Sequence, residues 1–176
     1  PSSAASDVYK RQGADVVSFA TLTPYALLGL VFGPITGMLA SKFGYHAVLR
    51  CGLVVSIAGI LFGIFIAQSP SIPLLVAISV VLGISYAGTA NIMLNGLGIM
   101  LSPKDNPGYL PGMNAGAFNL GAGLSFVVLY AVMGAVNSSG NVAAGYASSL
   151  IAGAVILLFA LLASFLIPRP EDADRS

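Results

Sequence analysis

The chain has 176 residues, of which 57% are hydrophobic and 7% charged, and its formal net charge is +1. Soluble domains carry about 25% charged residues, so this chain has too few to cover a water-exposed surface and is predicted to be an integral membrane protein. A net charge this small leaves no basic patch for a nucleic-acid partner. One His and one Cys are also too few ligands for an ordinary metal site.

The first residues of the chain, 1–12, differ from the rest. They are polar and include no initiator Met. We interpret them as a junction joined to an incomplete reading frame and leave them out of the fold, with a natural cytoplasmic arm as the alternative. In both cases we expect the chain to begin inside a larger protein.

Five apolar stretches follow, each long enough to cross a bilayer. The hydrocarbon core of about 30 Å needs roughly 20 helical residues. Glycine, proline and polar residues mark the breaks between the stretches. The sequence therefore predicts an all-α membrane protein whose transmembrane bundle occupies 13–170. The predicted spans are about 16–40, 47–67, 73–101, 112–136 and 143–167, and a polar tail occupies 171–176.

The first span combines small and polar residues. Gly29 and Gly33 are four positions apart, a spacing that lets two helix backbones approach closely in lipid. Thr21 and Tyr25 place polar groups in the same span, and we consider them candidates for lining an aqueous cavity. The sequence predicts that this span packs tightly and borders water.

Small residues recur at the same spacing in two later spans. Gly59 and Gly63 lie in the second span, which is otherwise almost wholly aliphatic, and Gly112 and Gly116 open the fourth. We predict that all four pack against neighbouring helices. The second and fifth spans are apolar enough to face lipid.

Polar side chains are concentrated in the third and fourth spans. Asn in hydrocarbon is costly unless it has a partner or lines a wet cavity. We therefore interpret the first, third and fourth spans as the border of an aqueous path that the second and fifth spans shield. Hydrogen bonds between helices, each contributing about 0.6–2 kcal/mol, are the alternative for any single side chain. The further cavity candidates are Ser85, Thr89, Asn91, Asn95, Asn114 and Asn119.

Basic residues predict the orientation. Lys42 and Arg50 flank the first break, Lys104 lies in the third, and Arg169 and Arg175 lie at the C-terminal end. Because successive spans alternate direction, these positions share one side of the membrane. The positive-inside rule makes that side cytoplasmic. We expect a multi-pass protein of the cell membrane with a cytoplasmic C-terminus.

Acidic residues are absent from the interior of the spans, and Asp15 lies at the mouth of the first. Proton or ion coupling usually needs an ionisable group inside the membrane. A coupling site is therefore expected in another part of the protein, unless transport is not ion-coupled. The chain also has no P-loop, G-x-S-x-G or H-E-x-x-H motif, so we predict a non-enzyme without a cofactor.

The first break carries the most specific motif, "GMLASKFGYH". It resembles the signature G-x-x-x-(D/E)-(R/K)-x-G-(R/K)-(R/K) of the major facilitator superfamily, which lies between the second and third helices of each six-helix half. Gly37, Lys42 and Gly44 match, whereas Ser41 stands at the acidic position and Tyr45–His46 replaces the basic pair. The resemblance implies that these residues form a cytoplasmic gate, in a degraded copy from the second half.

The resemblance implies the rest of the architecture. Helices eight to twelve of a twelve-helix carrier would account for five spans and a cytoplasmic C-terminus. In the family, helices eight, ten and eleven line the cavity, and nine and twelve lie outside. The implied partners are membrane lipid, a small-molecule substrate and a missing N-terminal half, against which this half moves in alternating access.

The branch of the family is indicated by "LLGLVFGPITG" and "PGMNAGAFNLGAG". Both look like the drug:proton antiporter branch, which implies a proton-coupled exporter of a drug or metabolite. The alternatives are another major facilitator porter, for nitrate, another anion or a sugar, and a non-transporting five-helix membrane scaffold. The substrate is not encoded in any motif of this chain.

Overall fold

The computed structural model describes residues 2–65, 71–138 and 140–170. For 2–12 and Ala14 it describes the backbone only. Helices and short turns account for the described residues, and five helices are long and apolar enough to cross a membrane. The predicted all-α fold with five transmembrane helices is confirmed.

The helices begin and end close to glycine, proline and polar residues. Two parts of the prediction lie outside the described residues, namely the C-terminal end of the second span, 66–67, and the tail, 171–176. The helices are α1 (Ser2–Phe43), α2 (Tyr45–Phe62), α3 (Ile72–Leu101), α4 (Tyr109–Asn137) and α5 (Val142–Ala163).

The last helix ends before the predicted boundary at 167. The N–H groups of Phe165 and Leu166 donate to carbonyls three residues back, which tightens the chain into a turn after Ala163. Pro168 has no N–H with which to resume a helix. The apolar residues that extended the predicted span therefore belong to the turn.

The helices form two layers. The central helix, α3, packs against α1, α2 and α4, while α5 packs against α2 and α4. One layer therefore holds α1, α3 and α4, the helices with the most polar residues, and the second holds α2 and α5. The most buried side chains lie where α2 meets α3, with Leu49 at 0% exposure, Met93 at 1% and Leu97 at 2%.

The middle of α3, Gly83–Ala90, is a π-helix rather than the regular α-helix assumed from the sequence. The Asn91 N–H donates to the Tyr86 carbonyl, five residues back. The Thr89 hydroxyl donates to the Ile84 carbonyl at 2.8 Å, so a side chain stabilises the wide turn. Such segments are uncommon and often occur at functional sites.

Glycines let α1 approach the π segment. A Cβ at Gly83 would lie 2.8 Å from the Tyr25 carbonyl oxygen, and one at Gly88 would lie 2.8 Å from the Phe32 Cβ. The Cβ built at Gly88 would also lie 3.4 Å from the Gly29 carbonyl oxygen. These distances leave no room for a larger residue on the α3 side of the contact.

The contact between α2 and α3 is equally close. A Cβ at Gly52 would lie 2.7 Å from the Ser85 carbonyl oxygen and 3.1 Å from the Ala90 nitrogen. Farther along α2, a Cβ at Gly59 would lie 2.9 Å from Val81 Cγ1. The backbone of α3 therefore lies directly against α2.

The other glycines selected from the sequence differ in their surroundings. A Cβ at Gly33 would meet the Ile92 side chain at 3.0 Å, and one at Gly63 would meet the Ile60 carbonyl oxygen of its own helix at 2.8 Å. At Gly112 and Gly116 a Cβ would meet no described atom within 4 Å. Close packing at these two positions stays a prediction.

We expect Gly52→Ala to lower the thermal stability of the intact protein in detergent. The new methyl group meets backbone atoms, which cannot rotate away, and overpacking of this kind costs about 1–3 kcal/mol. Gly153→Ala on α5 is the matched control, since its Cβ would meet no described atom within 4 Å. Unfolding curves that coincide for the two variants would contradict the contact between α2 and α3.

Candidate functional site

Two tyrosines lie where α1 faces the π segment, and an asparagine directly follows that segment. Tyr25 and Tyr86 are half-buried and lie within electrostatic reach of each other, and Asn91 follows Tyr86 by one π turn. We call Tyr25, Tyr86 and Asn91 the polar edge. Their side-chain polar groups hydrogen-bond to no part of the chain that the structure describes.

The unpaired groups of the polar edge need a partner. A hydroxyl or amide without a hydrogen bond in hydrocarbon costs roughly 2–7 kcal/mol. Water, a polar ligand or another part of the protein must therefore lie against this edge. Among the candidates chosen from the sequence, Tyr25 and Asn91 fit an aqueous path best.

Asn95 and Asn114 form a bridge between helices. The Asn114 amide nitrogen donates to the Asn95 amide oxygen at 3.0 Å, and the Asn95 amide nitrogen donates to the Asn91 carbonyl at 3.0 Å. This bridge joins α3 to α4 close to the polar edge. It corresponds to the interhelical alternative that the sequence left open.

Two hydroxyl pairs tie the π segment to the neighbouring helices. Ser85, 3% exposed, lies 2.9 Å from the Ser56 hydroxyl of α2, and Thr89 lies 3.3 Å from the Thr36 hydroxyl of α1. Because Gly52 lets α2 come so close, Ser85 is enclosed between two helices. The structure therefore favours interhelical hydrogen bonding over cavity lining for Ser85.

Thr21 and Asn119 bond within their own helices. The Thr21 hydroxyl donates to the Val17 carbonyl at 2.9 Å, and the Asn119 amide nitrogen donates to the Ala115 carbonyl at 3.0 Å. Asn119 is exposed and Thr21 is partly buried. Neither contacts the polar edge through a hydrogen bond that the structure describes.

The fourth helix presents an uncovered face. No residue of α4 is buried among the described residues, and Leu120 and Phe126 are 66% and 64% exposed. At Gly121 and Gly123, as at the two earlier glycines of this helix, a Cβ would meet no described atom within 4 Å. A face that combines small, apolar and polar residues is suited to contact with another helix.

The gate motif forms the junction between α1 and α2. Gly44 adopts φ 86° and ψ 146°, a conformation that only glycine adopts readily. The Ser41 hydroxyl donates to the Met38 carbonyl at 2.8 Å, and Lys42 Nζ lies 5.3 Å from the Phe43 ring centroid. A Cβ at Gly37, the remaining residue of the motif, would meet no described atom within 4 Å.

The sequence analysis did not identify all of the residues that pack around the π segment of α3. Gly52 and Ser56 lie in the span interpreted as aliphatic shielding, and Gly83 lies at the start of the π segment. The available signal was the spacing of small residues, since Gly52, Ser56 and Gly59 recur along one face of α2. That signal does not identify the helix that each one contacts.

Comparison with known proteins agrees with the helical architecture. Residues 6–176 match the Major Facilitator Superfamily. Over 161 residues the chain is 56% identical to the uridine/deoxyuridine transporter of Lactococcus lactis subsp. cremoris (strain MG1363), a match that covers 91% of this chain and 34% of that relative. No solved structure matches the chain significantly. The chain belongs to the major facilitator superfamily.

Proposed function

We propose that this chain is part of a secondary transporter that moves a pyrimidine nucleoside, uridine or deoxyuridine, across the cell membrane by alternating access. The observation that carries this proposal is the 56% identity to a relative named as a uridine/deoxyuridine transporter. Family membership over 6–176 supports the transport mechanism. The polar edge supports a polar substrate.

The chemistry of the polar edge suits a nucleoside. A uracil ring presents an imide N–H donor between two carbonyl acceptors, and the Asn91 amide offers one acceptor and two donors. Tyr25 and Tyr86 add aromatic faces and hydroxyls, which can stack on a base or bond to a sugar. A small set of placed polar groups in apolar surroundings is typical of small-molecule sites.

The name of the relative favours a different substrate from the drug or metabolite that the sequence predicts. The drug:proton antiporter motifs in the sequence predict export of a drug or metabolite by proton coupling. The relative's name favours a nucleoside over a drug, and it specifies neither efflux nor antiport. We therefore place a nucleoside, not a drug, at the polar edge.

The remainder of the carrier is proposed from two observations. The chain covers 34% of its relative, and α4 has no buried residue among those described. We propose that a preceding half packs against the face of α4 and encloses the polar edge. The basic residues at the Gly44 end support the proposal that this end and the C-terminus lie in the cytoplasm.

Asn91→Ala should reduce uridine uptake by cells that express the intact protein. Losing one hydrogen bond to the substrate should lower uptake at limiting substrate by about tenfold. Ser149→Ala on α5 is the control, because that hydroxyl bonds to the Tyr146 carbonyl of its own helix. Equal uptake by the Asn91→Ala and control variants, at equal surface expression, would refute a substrate contact at Asn91.

A cysteine at position 91 should react with a water-soluble thiol reagent, and uridine should slow the reaction. The native Cys51 is exposed and is first replaced by Ser. Ser85→Cys, six positions earlier in α3, is the control because Ser85 is 3% exposed. We expect rapid labelling of Asn91→Cys and little labelling of Ser85→Cys. Inert cysteines at both positions would contradict an aqueous path.

Gly44→Ala should impair transport while leaving membrane insertion intact. The strained backbone that an alanine would need there costs about 1–3 kcal/mol. Gly140→Ala is the matched control, because Gly140 has φ 82° in the loop at the opposite end of the bundle. Nucleoside exchange in vesicles measures the effect. Similar losses in both variants would indicate general strain rather than a gate at Gly44.

A further inference from the structure

A second polar site lies at the Gly44 end of the bundle, away from the polar edge. Two cavities of about 440 and 480 Å³ adjoin there and share three lining residues, His46, Arg50 and Arg169. We call these three residues the cationic cluster. None of the acidic side chains that the structure describes lines either cavity.

The cationic cluster retains unused donors. Arg50 donates from a terminal nitrogen to the Ser164 carbonyl at 3.2 Å, and its guanidinium carbon lies 4.0 Å from the Phe165 ring centroid. These contacts fix the guanidinium, yet its buried Nε has no hydrogen-bond partner among the described residues. The buried His46 Nε2 likewise has none in the described part of the chain. Buried polar groups are normally paired, so these two atoms are available to a ligand.

The fold adds positive potential to the cluster. Helix α2 begins at Tyr45 and has no side-chain cap. The N-terminal N–H groups of a helix carry partial positive charge and favour anions. His46 and Arg50 lie on the first turns of this helix, so the Arg50 charge and the helix dipole act on the same volume.

The rim of the cavities is apolar and faces outward. Phe165 and Leu166 line one cavity and are 60% and 85% exposed, while Phe43 and Met100 line the other and are 59% and 47% exposed. A free inorganic anion would use the cationic cluster alone. A lipid would use both parts, with its headgroup on the cluster and its acyl chains on the rim.

We propose that the cationic cluster binds the phosphate group of an anionic membrane phospholipid. Arg forms charge-assisted hydrogen bonds to phosphate oxygens, and basic pockets between transmembrane helices are suited to such headgroups. The lipid would link the start of α2 to the segment after α5. It would thereby hold the layer of α2 and α5 together at the end of the bundle that carries the gate motif. The proposal does not depend on the transported substrate.

A competing anion is present in the sequence itself. Glu171, Asp172 and Asp174 directly follow Pro170, which lines one of the cavities. A carboxylate can satisfy the same donors as a phosphate. The experiment therefore includes a variant in which these three residues are replaced by Gln, Asn and Asn.

Native mass spectrometry of the intact protein in detergent would test the proposal, with phosphatidylglycerol, phosphatidylcholine and inorganic phosphate as separate probes. We expect retention of phosphatidylglycerol over phosphatidylcholine. Arg169→Gln should weaken phosphatidylglycerol binding about fivefold, and Arg50→Gln by a similar factor, as each removes one cation near an anionic headgroup. Arg50→Lys should restore part of the binding.

Lys104→Gln is the control, because it removes a positive charge near the same end of the bundle from outside both cavities. It should bind phosphatidylglycerol as the parent does. Equal binding by the Arg169→Gln and Lys104→Gln variants would overturn the proposal. If the protein bound inorganic phosphate but did not bind phosphatidylglycerol, the ligand would be a free anion and not a lipid. If phosphatidylglycerol bound only after the three tail residues were neutralised, the tail carboxylates would be the ligand of the cationic cluster in the parent protein. That result would overturn the lipid proposal.

Discussion

The close approach of α1 and α2 to the π segment of α3 is the constraint on which the rest of the bundle depends. Within lipid, helices gain no hydrophobic advantage from association, so dispersion and short contacts between backbones must hold them. Gly52 and Gly83 supply those contacts, since a Cβ at either would lie 2.7 or 2.8 Å from a carbonyl oxygen of the facing helix. The Thr89 hydroxyl stabilises the wide π turn by donating to the Ile84 carbonyl, and it lies 3.3 Å from the Thr36 hydroxyl of α1.

The same crossing separates the polar groups into two populations. Ser56 and Ser85 pair inside the contact, where both are buried away from a solute. Tyr86 and Asn91, on the same helix, have side-chain polar groups that hydrogen-bond to none of the described residues. The proposed site thus consists of polar groups beside the tight contacts that the described residues do not pair, as expected of groups held ready for a ligand.

Much of the architecture follows from composition and length, because a helix that crosses lipid must be apolar for about 20 residues. The order of polar and aliphatic spans also anticipates the two layers, since Asn and Tyr are tolerated only beside partners or water. Individual partners are not predictable in this way. Gly112 has the same local spacing as Gly29, yet only Gly29 has a described helix against it.

The π segment has no comparable signature in the sequence. Its bounds depend on Gly83 and Gly88 meeting α1 and on Ser85 meeting α2, which are contacts between residues far apart in the chain. A pattern of 100° per residue assumes a regular α-helix, so it does not hold across Gly83–Ala90.

The central claim is that the polar edge borders the solute in the complete carrier. A structure of the intact protein with bound uridine, determined by electron cryomicroscopy, tests it most directly. The account predicts a nucleoside within hydrogen-bonding distance of the Asn91 amide, with the preceding half of the protein packed against α4. A nucleoside bound elsewhere, with the polar edge closed by protein side chains, would contradict it.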